Sequence, residues 1–210
     1  MAERDTLLRS MHDIGLAEWF GGSLMGVVGL NGAAAEVPDR NERLRVASIG
    51  WDRWTPLNAA GIGAHLVGSA GILANERRRV AGQKGVGAMS AAKTGLTAAA
   101  LGATAYSRVI GRKLEKAGRV PVEGITEPAP DTPAEIRRLQ RREKVAQWAI
   151  PILTGAIIVV SSLAGEQQKP RSVARGVAAR IGDVLTPSAG GRWGWGSTSR
   201  NMMGMAVRSR

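Results

Sequence analysis

The stretch VAQWAIPILTGAIIVVSSLAG, residues 145–165, decides the fold class of this chain. It contains no charged side chain, and its Ile, Leu and Val residues lie on every face of a helix. A bilayer core about 30 Å thick needs about 20 helical residues, so this length and composition are typical of a membrane span. The sequence therefore predicts a transmembrane helix here.

Three further windows, at 16–35, 55–74 and 85–107, have similar length, and Glu18 and Lys93 are their only charged residues. They owe their apolarity to Ala and Gly as much as to Leu and Val. Soluble core helices are the alternative, but such helices would carry a charged face opposite an apolar stripe, which these windows lack. We therefore expect an all-α integral membrane four-helix bundle, multi-pass in the plasma membrane.

The chain divides into a predicted membrane domain, residues 1–165, and a basic tail, residues 166–210. In the tail, Val173, Val177 and Ile181 recur at helical spacing with arginines away from that stripe. Such a pattern is typical of an amphipathic helix on anionic lipid headgroups. About the last 20 residues are predicted to be disordered.

The net charge of +12 comes from Lys and Arg residues that flank every window instead of gathering on one module. Membrane lipids are therefore the expected partners, and no nucleic acid is expected. Lys and Arg are equally numerous on the two sides of a four-span bundle, so orientation stays open. Trp51, Trp54 and Trp148 lie near the ends of spans and are candidate interfacial anchors.

Small residues recur every three or four positions along the first three windows. In lipid, helices associate where such residues allow close backbone approach. These small residues predict a tight bundle. Those that do not pack within the bundle would remain available for a homo-oligomer or a membrane-complex partner. The predicted packing positions are Gly22, Gly26, Gly29, Ala60, Ala64, Gly68, Ala91, Gly95 and Ala99.

Ionisable groups at membrane depth are functional candidates, because burying them in lipid is costly. Counting at about 1.5 Å per residue places Glu18, His65 and Lys93 in the same half of the bilayer. These three residues have three possible roles. Glu18 and Lys93 could form an ion pair beside His65, in which the two charges cancel and no function follows. Alternatively, the three residues could form a proton or ion pathway, or a site for a ligand or lipid headgroup.

Catalytic, metal and cofactor sites are not expected, and the chain is predicted not to be an enzyme. It contains no cysteine, and no Ser or Thr lies in a motif that pairs a nucleophile with a base. The same counting puts His12 about 15–20 Å from His65 along the membrane normal, too far for the two axial ligands of one haem.

Four stretches of this chain carry a resemblance to a known family: HDIGLAEWFGGSLMGVVGLNGAA (12–34), RVASIGWDRWTPLNAAGIGAHLVGSAG (45–71), GVGAMSAAKTGLTAAALGATAYSRVIG (85–111) and LTGAIIVVSSLAGEQQ (153–168). Together they resemble small membrane proteins of high-GC Gram-positive (actinobacterial) bacteria. The resemblance covers roughly residues 11–170. It implies a four-span protein of the plasma membrane and supplies no activity.

Three functions follow as hypotheses. The first is a structural or complex-assembly role for a non-enzymatic membrane protein. The alternative is a small transporter or proton-coupled channel that uses Glu18, His65 and Lys93. An enzyme acting on a lipid or quinone comes third, because it would need a bound cofactor or headgroup.

Overall fold

The structure is a computed structural model that describes residues 2–82 and 86–166. Helix α1 (Ala2–Met25) continues through a π-helical turn (Gly26–Leu30) into α2 (Asn31–Ala35). These are followed by α3 (Arg43–Gly82), α4 (Val86–Lys116) and α5 (Ala134–Glu166). The prediction of an all-helical chain is therefore confirmed for the described residues, which contain four long helices and no strand. The predicted basic tail, residues 166–210, lies outside the described residues, except for Glu166 at the end of α5.

The four long helices form a bundle in which neighbours run antiparallel. Helices α1 and α3 pack along most of their length, and α4 packs in the same way on α5. Helix α5 also contacts α1, and α3 contacts α4, so each helix has two neighbours in a ring. This is the up-down-up-down arrangement of four-helix bundles.

Two of the helices, over Arg43–Asn75 and Ala134–Leu163, are long and apolar enough to cross a membrane. They contain the predicted windows 55–74 and nearly all of 145–165. The windows 16–35 and 85–107 also lie on helices, which are richer in Ala and Gly. At 1.5 Å per residue, the 40 residues of α3 extend about 60 Å, twice the thickness of a bilayer core, so its ends would protrude.

The π-helical turn interrupts the first apolar window without ending the helix. Met25 and Asn31 flank it in right-handed helical conformation, and the Asn31 N–H donates to the carbonyl of Gly26. The wider turn adds a residue, which changes the face on which the following side chains lie. Asn31, the residue after this turn, is buried.

One end of the bundle carries a small cap, formed by the turn at 36–42 and the loop at 117–133. Ala34 and Leu44 pack there against Val122 and Ile125 in a buried cluster. Ion pairs surround it: Arg40 with Glu123 at 2.6 Å, Arg119 with Asp39 at 2.9 Å and Arg119 with Glu42 at 2.6 Å. The loop has no regular structure beyond one isolated β-bridge, as its prolines predict.

Helix α3 continues to Gly82, and α4 begins at Val86. Just before α5, the Thr132 hydroxyl donates to the carbonyl of Pro121 at 2.6 Å and accepts from the Ala129 N–H at 2.8 Å, so it holds the loop.

Candidate functional site

Glycines let α1 and α3 approach closely. A Cβ added at Gly15 would lie 2.3 Å from the carbonyl oxygen of Gly61, and one at Gly68 would lie 2.5 Å from the His12 nitrogen. Ala64 lies beside Gly15 in the same contact. Backbone therefore meets backbone along this interface, which is the small-residue packing expected of helices in lipid.

The predicted packing positions divide into two groups. Gly22, Gly26 and Gly68 make close contacts between α1 and α3, as described for Gly68 above. Ala64 belongs to the same group, because it lies beside Gly15 in this contact. The other five positions do not pack in this way within the described residues, where Gly29, Ala60, Ala91, Gly95 and Ala99 are exposed. Spacing alone could not separate the groups, because it does not say which face of a helix turns toward a neighbour.

The tryptophans proposed as interfacial anchors also divide. The rings of Trp51 and Trp54 lie over Gly26 and Gly22 of α1, so both act as packing side chains. Trp51 also donates its indole N–H to Asn31 Oδ1 at 2.9 Å. Trp148 is 41% exposed on α5, where it remains a candidate anchor.

Glu18 lies in the contact between α1 and α3. Its carboxylate occupies the space left by the missing side chain of Gly61, where an added Cβ would lie 1.5 Å from Oε2. Both carboxylate oxygens are buried, and no described residue donates a hydrogen bond to them. Glu18 and Lys93 form no ion pair in the described part of the chain. The Glu18 carboxylate is therefore not neutralised by this lysine.

His12 and His65 lie in contact, with ring centroids 4.6 Å apart. The expected separation of 15–20 Å is therefore wrong. That estimate counted residues from the ends of the apolar windows, whereas the glycine contacts between α1 and α3 set the actual register. Nδ1 of His65 lies 3.3 Å from the His12 carbonyl oxygen, and Nε2 is buried without a partner among the described residues. Within those residues, no group of three or more side chains has a metal-binding arrangement.

Trp19 lies close to His65 and is also bonded to α4. Its ring is fully buried against Ala100 and Ile150, and its centroid lies 6.2 Å from that of His65. Its indole N–H donates to Thr104 Oγ1 at 3.2 Å. Thr104 in turn lines a cavity between the helices.

We call this space the glutamate cavity. Its volume is about 170 Å³, and all four long helices line it. Glu143 of α5 is 2% exposed. Its Oε1 accepts hydrogen bonds from Ser107 at 2.7 Å and from Gln147 at 2.9 Å, while Oε2 has no partner among the described residues.

Further polar groups from α3 and α4 complete the cavity wall. Asp52 and Arg108 form an ion pair at 2.6 Å, so their charges compensate each other. Trp54 Nε1 and Asn58 Oδ1 are buried, and neither has a hydrogen-bond partner in the described part of the chain. The cavity wall therefore includes two donors without hydrogen-bond partners among the described residues, the Trp54 N–H and the Nε–H of Arg108, and two such acceptors, on Asn58 and Glu143.

Sequence reasoning missed this cavity. Glu143 lies just before the window at 145–165, among the charged residues that precede it. One usable signal exists: Gln140, Glu143, Gln147 and Thr154 recur on one face of α5, and all four are buried. A polar stripe along an apolar helix predicts a face turned toward the bundle interior.

Comparison with known proteins finds no matching family model, no matching curated protein and no matching solved structure. The resemblance to small actinobacterial membrane proteins therefore stays a prediction. The candidate site therefore rests on geometry alone: buried polar atoms of Glu18, His65 and Glu143 lie in the interior of the bundle without hydrogen-bond partners among the described residues.

Proposed function

We propose that this chain is a multi-pass plasma-membrane protein and that all four long helices cross the bilayer. The observation that carries this proposal is the distribution of side chains. Polar ones are buried between the helices, among them Asn31, His65, Glu143 and Gln147, and large apolar ones face outward. The outward-facing set includes Leu7, Ile14, Met25, Val28, Leu57, Val67, Val109, Val145, Ile152 and Val159.

A soluble bundle would have the opposite distribution. Its apolar stripe would face inward and its charged face would meet water. In lipid, apolar side chains on the outer surface are favourable, and polar groups are placed inside, where other helices shield them. The soluble alternative is therefore disfavoured.

Within the membrane, we propose a small transporter or proton-coupled channel. Glu18, His65 and Glu143 all have buried polar atoms without partners among the described residues. A buried polar group costs free energy unless it is bonded, and a buried charge costs more. Such groups are expected where a protein must hold and release a proton or a polar solute.

A structural or complex-assembly role is the second candidate, and one observation favours it. Ala91, Gly95 and Ala99 form an exposed row of small residues on α4. This row suits close approach of another helix, from a second copy or from a membrane-complex partner. The assembly role would need none of the unpaired interior groups.

Proton flux into proteoliposomes under an imposed pH gradient tests the transport proposal. We expect the purified chain to carry protons and Glu18→Gln to lose most of this flux. Glu36→Gln is the matched control, because Glu36 is exposed in the turn at one end of the bundle. Full flux in Glu18→Gln, or no flux above empty liposomes, would contradict transport and favour assembly.

A further inference from the structure

We propose that the glutamate cavity binds a small organic ammonium ion that also carries a hydroxyl group. This inference deepens the proposed function, because it names a solute class for a transporter, and it rests on that function for its biological role. The binding itself depends only on the side chains that line the cavity.

The volume limits the ligand to a few non-hydrogen atoms. An apolar cavity of about 150 Å³ holds benzene, with six such atoms, and water takes about 30 Å³ per molecule. A cavity of about 170 Å³ therefore suits a ligand of about six non-hydrogen atoms. Lipid headgroups with attached acyl chains, nucleotides and peptides are too large.

The carboxylate of Glu143 is already oriented for a ligand. Ser107 and Gln147 both donate to Oε1, which fixes the group and leaves Oε2 unpaired. Gln147 is itself held, because its Oε1 accepts from Asn31 Nδ2 at 2.7 Å. A buried carboxylate held in this way is stabilised by a cation that donates hydrogen bonds to it.

Charge favours a cation over an anion. The cavity is lined by three carboxylates, those of Asp52, Glu115 and Glu143, and by one guanidinium, that of Arg108, so the net charge of these groups is −2 when all four are ionised. One terminal nitrogen of Arg108 pairs with Asp52 at 2.6 Å, and its Nε has no partner among the described residues. An ammonium group brings three donors, which matches the unpaired acceptors on Glu143 and Asn58.

The hydroxyl is inferred from Trp54. Its indole N–H is buried and has no acceptor among the described residues. A hydroxyl oxygen on the ligand would accept this bond, since an ammonium group cannot accept one. Trp51 and Trp54 also line the cavity, and the face of an indole ring attracts cations.

The test uses calorimetric titration of the full chain purified in detergent. The probe is 4-hydroxybutylammonium, which has six non-hydrogen atoms, and its neutral counterpart is 1,4-butanediol of the same length. We expect the ammonium compound to bind at least tenfold more tightly than the diol. Glu143→Gln should weaken ammonium binding at least tenfold, and Glu135→Gln, an exposed carboxylate on the same helix, should leave it unchanged.

A second variant keeps the test decisive if Glu143→Gln does not fold. A Cβ added at Gly111 would have Glu143 Oε1, at 4.0 Å, as its nearest neighbour, so this position has room for a side chain. Gly111 also lines the cavity. Gly111→Leu should therefore fill the space and abolish binding while keeping every charged group.

Equal affinity for the diol, unchanged binding in Glu143→Gln or Gly111→Leu, or no binding by the unmodified chain would overturn the inference. Its failure is distinguishable from failure of the transport proposal. Ammonium binding without flux in proteoliposomes would support the site and contradict transport. Proton flux without ammonium binding would support transport and contradict the site.

Discussion

The indole ring of Trp54 lies directly over Gly22, where an added Cβ would lie 1.9 Å from Cζ2 of the ring. Gly21, the preceding residue on the same helix, has no neighbouring atom within 4 Å of such a Cβ. Two adjacent glycines in one helix therefore have different roles. Gly21 faces open space, and Gly22 is required for the packing of α3 on α1.

Gly22→Ala should destabilise the bundle by about 1 to 3 kcal/mol, because the new methyl group would push Trp54 away. Gly21→Ala should be neutral or stabilising by up to about 1 kcal/mol, because alanine favours the helix. Thermal unfolding in detergent measures both. Equal effects of the two substitutions would show that the ring does not pack on Gly22.

Two hydrogen bonds through the Asn31 side chain join α2 to α3 and α5, and we expect them to stabilise the bundle. Asn31 Nδ2 donates to Gln147 Oε1 at 2.7 Å, and Trp51 donates to Asn31 Oδ1 at 2.9 Å. Asn31→Leu leaves both partners unpaired and should cost about 1 to 3 kcal/mol.

A double-mutant cycle with Gln147→Leu should give a coupling free energy of about 0.5 to 2 kcal/mol. Ser162→Ala is the control, because the Ser162 hydroxyl is exposed and donates to the Ile158 carbonyl of its own helix. Additive effects of Asn31→Leu and Gln147→Leu would rule out a direct bond between the two side chains.

The cap should depend on pH through Asp39. Hydrogen bonds from the backbone and side chain of Asn41 hold the pKa of Asp39 below its ordinary value. A lowered folded-state pKa means that this carboxylate contributes stability above its unfolded pKa, about 4, and loses it as pH falls through the folded pKa. Asp39→Asn should therefore reduce the fall in Tm between pH 6 and pH 3.

Thermal unfolding across this pH range checks the effect of Asp39→Asn. Glu135→Gln serves as the control, since Glu135 is exposed at the start of α5. The effect should be small, because Asp39 is exposed to solvent. The same slope for Asp39→Asn and the unmodified chain would mean that Asn41 does not favour the charged form.

Composition was enough to predict helices at all four windows, because long runs without charge are compatible with few other structures. It could not predict the register between helices. The contact of His12 with His65 depends on where Gly15 and Gly68 meet the opposite backbone. For the same reason, Glu143 could be seen as a charge beside a span but not as a wall of a cavity that residues from α3 and α4 complete.

Labelling of single cysteines distinguishes four membrane crossings from two. The chain has no cysteine, so Pro38→Cys and Pro130→Cys each introduce one thiol, both in the cap. If α1, α3, α4 and α5 all cross, the two positions lie on the same side of the membrane. If only α3 and α5 cross, they lie on opposite sides.

The measurement is the reaction of each variant with a membrane-impermeant maleimide in intact cells and again after cell lysis. Val28→Cys and Ile152→Cys, at exposed apolar positions, serve as lipid-facing controls and should stay unlabelled until detergent is added. If all four helices cross, we expect Pro38→Cys and Pro130→Cys to react under the same condition, both from outside or both only after lysis. Labelling of one from outside and the other only after lysis would contradict the four-span bundle.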